Sequence, residues 1–425
     1  MTNEKNKITK LVFPNWMNRD LKVIYVARLL MSINRALAGI VVAIYFSIDG
    51  LTAVDLGIVF LGVGLFSAIL SSSIGITSDQ IGRKVFMVVV PFLTATASLV
   101  FFATRSLPLL IAAAVIGSFG RGAGAGAGAV GPYQSVESAL AAENTGSANR
   151  NKIFGRLGFA SSIGATVGSL LTLTIPTHKV TGSTELGVYH AVFFLAFLSA
   201  LGAGLVALLL KKDRVLKSDR PKFKFKFPKK SKSLVYKLWV TNSLNGIAVG
   251  MFGPFVSYWF YRRYGAGPKE IGILFAVINV VTIGSTLSAA GLAKKMGLVN
   301  VVTVVRAFQS LLLIPMVLAP SFIISGGIYL VRMLIQRIAL PLRQSYVIGM
   351  ADENEKAAVT SMSNLPNQVM MSVSPMFSGY LFDYLSEELP FEIAGVFQLA
   401  NTVAFYLFFH KTKPAEETFE KLDSD

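Results

Sequence analysis

Apolar stretches of about 20 residues, long enough as helices to cross about 30 Å of hydrocarbon, recur along this chain between short polar breaks. The pattern predicts twelve membrane spans, beginning near Val23, Leu56, Val85, Leu109, Phe154, Val188, Val235, Ile271, Val299, Phe322, Val359 and Phe391. An even number of crossings returns both termini to one side. The longest polar break follows the sixth span and divides the chain into a tail (1–22), a six-helix half (23–210), a basic linker (211–234), a second six-helix half (235–410) and a second tail (411–425). Three short patterns recur in the same order in the two halves. SINRALAG (32–39) is matched by SLNGIAVG (243–250), GITSDQIG (75–82) by GLAKKMG (291–297), and the end of the fourth span, GPYQSVESALAAEN, by that of the tenth, LPLRQSYVIGMADEN. Such repetition predicts an all-α integral membrane protein of two pseudo-symmetric six-helix bundles, related by a two-fold axis along the membrane normal, with a solute site between them.

Charge adds the orientation. The 425 residues are 53% hydrophobic, yet the formal net charge is +17. Of the basic residues outside the spans, 29 fall on the side of the tails and linker, against Arg105, Lys179, Arg262, Arg263 and Lys269 on the other. That bias predicts cytoplasmic termini in a plasma-membrane protein, and it accounts for the basicity without nucleic acid as a partner. With no cysteine and no His-Glu-x-x-His pattern, the sequence offers neither a thiol nucleophile nor a recognisable metal site, and no enzyme, metal or cofactor is expected. The first 20 residues show no long apolar core with a cleavage site, so no signal peptide is expected.

Six arginines fall within the spans: Arg28, Arg35, Arg121, Arg306, Arg332 and Arg337, whereas the carboxylates read as lying in loops, tails or span ends. A cation at the centre of a membrane helix costs at least ~2.5 kcal/mol, so each needs a partner or a watery cavity. Arg35, Arg121 and Arg332 fall near the midplane of the first, fourth and tenth spans, and Arg121 and Arg332 are separated by the 211 residues of the first repeat. Guanidiniums facing one another without a carboxylate suit an anion between them, and Asn34, Asn245 and Gln336 are candidate neutral partners. Arg28, Arg306 and Arg337 read more simply as snorkelling or packed side chains. The lack of a mid-depth Asp or Glu argues against a proton-driven cycle.

The polar stretch GITSDQIGRK (75–84), between the second and third spans, resembles the signature of the major facilitator superfamily, G-x3-D-x2-G-R-K/R, with Gln80 at its optional basic position. The resemblance extends from about Val23 to Phe409 and implies a secondary transporter, ordinarily a monomer, that works by alternating access. It implies a cytoplasmic gate built from Gly75, Asp79, Gly82 and Arg83, with a weaker second copy at Gly291; we read Glu137 as the acid that pairs with Arg83. Arg121 resembles the embedded arginine of the family's fourth span. Gly155, Gly164 and Gly168 match the start of a motif of drug and proton antiporters, although Ser169 stands where that motif has proline. The expected partner is a small solute of anionic or amphiphilic character, in contact with membrane lipids. A proton-coupled multidrug antiporter and a lipid flippase of the same fold are the alternatives.

Overall fold

The computed structural model describes residues 13–14, 16–120, 131–145, 149–175, 186–211, 228, 230–296, 298–352 and 355–411, some helical residues by backbone alone. Among the described residues the regular secondary structure is all helical. In chain order the helices are α1 (Arg19–Ile48), α2 (Ala53–Ile81), α3 (Arg83–Ala103), α4 (Leu107–Gly117), α5 (Pro132–Glu143), α6 (Arg150–Leu171), α7 (His190–Leu208), α8 (Lys232–Phe252), α9 (Val256–Tyr264), α10 (Pro268–Met296), α11 (Leu298–Leu311), α12 (Leu313–Val317), α13 (Phe322–Met350), α14 (Lys356–Tyr384) and α15 (Leu389–Phe409). Seven of the described helical stretches are individually apolar and long enough to cross a membrane.

Nine of the twelve predicted spans correspond to one helix each; the fourth, seventh and ninth are divided. The seventh breaks between α8 and α9 after Gly253, at Pro254, which has no N–H to continue the helical ladder. The fourth is divided between α4 and α5. Ser118 ends α4 in the left-handed conformation, and Gly131 precedes Pro132, the first residue of α5, with φ +99°. Only glycine adopts that last backbone without strain.

The chain divides into two compact units, 1–38 with 66–119 and 126–223, and 39–65 with 120–125 and 224–425. Outward faces are apolar, with Ile69 66%, Ile323 82% and Val396 68% exposed. In lipid such faces give no drive to associate, so cohesion rests on close packing and internal hydrogen bonds. Within the first unit, Gly164 and Gly168 of α6 lie against α1; a Cβ on Gly168 would stand 2.5 Å from the Ile33 carbonyl oxygen. Within the second, Gly246 and Gly250 of α8 lie against α14, and a Cβ on Gly246 would stand 2.6 Å from the Asn367 carbonyl oxygen. The first half of α2 packs on α14 in the same way, Gly57 against Pro375 and Gly64 against Ser372. Asp383, at the end of α14, accepts hydrogen bonds from the N–H groups of Ala53 (3.2 Å) and Val54 (2.8 Å), capping the N-terminus of α2 from 330 residues away.

Arg262 and Arg263, the local exceptions to the charge bias, face acids. Arg263 lies 2.8 Å from Glu388 and Arg262 3.5 Å from Glu387, in part-exposed pairs of small energetic value.

Candidate functional site

In the GITSDQIGRK stretch, α2 continues to Ile81, so Gly75 is helical and the turn into α3 is made by Gly82 alone, with φ +115°. The side chain of Asp79 lies outside the described residues; Gly291 is described by backbone only, within α10. Arg83, the first residue of α3, forms its ion pair with Glu143, the last residue of α5, at 2.7 Å. This corrects the expected partner Glu137, which lies six residues, about 9 Å of helical rise, deeper along α5. Lys84 donates to the carbonyl of Leu210 beyond the C-terminus of α7, where a cation also favours the helix dipole.

Glu137 instead forms an ion pair with Arg28 of α1, the two side chains only 1% and 5% exposed. Ser32 braces the same turn of α1, donating from Oγ to the Arg28 carbonyl at 2.8 Å. The expectation that every carboxylate stays at a loop or span end therefore fails at Glu137. Hydropathy marks where an apolar run ends, but α5 begins only at Pro132, and its charged residues lie inside the first unit.

Arg35 is half-buried near the midpoint of the 30-residue α1, and its guanidinium adjoins the N-terminus of α5: a Cβ on Gly131 would stand 2.6 Å from Arg35 Nη2. Arg121 lies outside the described residues. Arg332 is fully buried in the second unit, where its guanidinium covers the Phe252 ring at 4.3 Å and Nη2 donates to Gln398 Oε1 at 2.9 Å. Gln336, one turn further along α13, is half-buried, its Oε1 enclosed without a hydrogen-bond partner among the described residues.

The two asparagines of the repeat face into their own units. Asn34 Nδ2 donates to Ser98 Oγ at 2.9 Å and to the Ala196 carbonyl at 2.8 Å, tying α1 to α3 and α7. Asn245 Nδ2 donates to Asn367 Oδ1 at 2.8 Å, and its Oδ1 accepts from Arg306 Nη1 at 3.4 Å.

That last contact opens onto a cluster that the sequence reading missed. Arg343, counted there among the loop cations, lies seven residues inside the end of α13, donates to Asn242 Oδ1 and covers the Phe405 ring at 5.9 Å. Asn401 on α15, oriented to satisfy both neighbours, accepts from Arg306 Nη1 at 2.7 Å and donates to the Thr241 carbonyl at 2.8 Å. The signal available in the sequence was the polar set Asn242, Asn245, Asn367 and Asn401 within apolar spans. Among the described residues no group of His, Asp and Glu is arranged to hold a metal.

A family model described as Major Facilitator Superfamily matches residues 24–336 and 238–424. Among curated proteins, the uncharacterized membrane protein YJR124C of Saccharomyces cerevisiae is 21% identical over 400 residues, covering 86% of this chain and 88% of that one. Similar solved structures include a bacterial homolog of the human lysosomal transporter Spinster (TM-score 0.72, 12% identity, 91% of this chain and 95% of that one). The nucleoside transporter NupG gives TM-score 0.72 at 12% identity, over 92% of this chain and 100% of that one. The human organic anion transporter MFSD10 gives 0.62 at 15% identity, over 91% and 99%. At these identities the structures establish the fold alone.

Proposed function

Because the chain belongs to the major facilitator superfamily, whose members are multi-pass membrane transporters of small solutes, we propose that it carries a small organic anion, or an amphiphile with an anionic head, by alternating access. One observation carries this reading: near mid-span, the Arg35 guanidinium adjoins the N-terminus of the half-helix α5 at Gly131. The positive end of the helix dipole already favours an anion there, and a neighbouring guanidinium adds charge and forked donors. Discontinuous helices in transporters commonly present such ends to anionic groups. Arg121 and Gln336 are the further solute-facing candidates, whereas Asn34 and Arg332, enclosed with partners of their own, are assigned to holding their helices together. The gate assignment to Gly75, Asp79, Gly82 and Arg83 stands as part of this proposal, with Glu143 as the acid for Arg83. The charge bias supports cytoplasmic termini.

A proton-coupled form of the cycle gains support from Glu137, a carboxylate enclosed with Arg28 inside the first unit. Gly164 and Gly168 of the antiporter-like stretch pack against α1.

The test is uptake of radiolabelled carboxylates into proteoliposomes, beside panels of organic cations and neutral sugars. Arg35→Gln is expected to raise the apparent KM for the preferred anion at least tenfold, about 1.4 kcal/mol of lost binding, with Arg35→Lys in between. Preference for cations, or an unchanged KM in Arg35→Gln, would overturn the reading.

A further inference from the structure

The second unit contains two guanidiniums, Arg306 on α11 and Arg343 on α13, held in one layer by asparagines. Arg306 lies eight residues from the start of α11, Arg343 seven from the end of α13, Asn401 eight from the end of α15 and Asn242 ten from the start of α8. At the helical rise these positions are about 10 to 15 Å from a helix end, the N-terminal end for α8 and α11 and the C-terminal end for α13 and α15, as antiparallel neighbours meeting at one depth require. Arg306 is 7% exposed. Each guanidinium has five N–H donors. Those of Arg306 meet Oδ1 of Asn245 and Asn401, both through Nη1, and Arg343 meets Oδ1 of Asn242 through Nη2. Both Nε atoms are enclosed and have no acceptor among the described residues.

Among the described residues neither guanidinium has a carboxylate partner. The sequence has no Asp or Glu in 232–269, 271–351, 356–382 or 393–415, the stretches that supply α8, α9, α11, α12, α13 and nearly all of α14 and α15. The first unit differs, since its buried arginine, Arg28, is matched by Glu137. Neutral amide oxygens orient the two guanidiniums but cancel neither charge, and like charges repel strongly away from water.

We propose that the layer between α8, α11, α13 and α15 binds a small inorganic monovalent anion of the halide class, held by Arg306 and Arg343. The anion supplies the charge and the acceptor that the asparagines lack. Asn242 and Asn245, which engage the two arginines, are three residues apart on α8 and therefore on one face of it, which brings the two guanidiniums to one patch of the layer. This inference does not rest on the solute reading, and its test measures no transport.

The experiment is a thermal-melting titration of the full chain, purified in detergent in sodium gluconate and titrated with sodium chloride at constant ionic strength. A saturating rise of several degrees is expected, shared by bromide and nitrate, absent with sulfate, and weakened at least tenfold in apparent affinity in Arg306→Gln and Arg343→Gln. An equal melting temperature in gluconate and chloride overturns the proposal, and an equal response to sulfate overturns the halide class. Should either variant fail to fold, equilibrium binding of radioactive chloride to the wild-type chain decides: close to one ion per chain supports the site, and less than one in ten chains occupied removes it.

Discussion

Arg28 and Glu137 show what the sequence conveys about a single residue and where it stops. Arg28 is legible as a cation within a span, and its structural role was the simpler expectation, but its partner was placed near the surface because the break before α5 leaves no mark in the hydropathy. Arg343 was misplaced for a related reason: α13 continues to Met350 through the polar run Arg343-Gln344-Ser345, which reads as the end of a span. A buried ion pair is costly to break and cheap to replace whole. Arg28→Leu strands the Glu137 carboxylate and is expected to destabilise the protein by about 3–5 kcal/mol, whereas the double variant Arg28→Leu/Glu137→Leu should return to near wild-type stability or above. Melting temperatures of the two single variants and the double variant close the cycle; a double variant as unstable as the worse single one would show that the pair is not an isolated couple.

At the scale of elements, the twelve apolar runs and their order were legible, because length and hydropathy alone decide which segments cross a membrane. The divisions of the seventh and ninth spans were not, since a break of a few residues barely changes a window average, and in the fourth the Gly/Ala run between Arg121 and Gly131 reads in sequence as part of the span. Glycines were legible as small residues, but their work depends on what lies opposite each. Gly246→Leu forces α8 away from the Asn367 backbone of α14 and should cost about 1–3 kcal/mol or more. Gly155→Ala, with open space around the new Cβ, should be neutral or stabilise α6 by up to about 1 kcal/mol. Equal melting temperatures for the two variants would mean that the close crossing of α8 and α14 contributes nothing.

For the whole molecule, the repeats in the sequence disclosed the two-bundle plan, but not that residues 39–65 pack with the second unit, a contact fixed by Asp383 across 330 residues. Asp383→Ala removes the cap on α2 and should loosen its seat on α14 by about 1 kcal/mol, roughly a fivefold change in opening. The chain has no cysteine, so Ser372→Cys, at a position 1% exposed between those helices, gives a clean reporter. A water-soluble maleimide should label it about five times faster when Asp383→Ala is also present, and an unchanged rate would assign the seat to the glycines alone. Those glycines also set a limit on interchange between the halves. The crossing of α1 with α6 carries its glycines on α6, while the corresponding crossing of α8 with α14 carries them on α8. A chimaera placing α14 in the seat of α6 would press Asn367 and Met370 against Leu29 and Ile33 with no glycine to receive them, and the reverse exchange would leave glycine facing glycine across a void. The halves share a plan, but the helices that build them are not interchangeable parts.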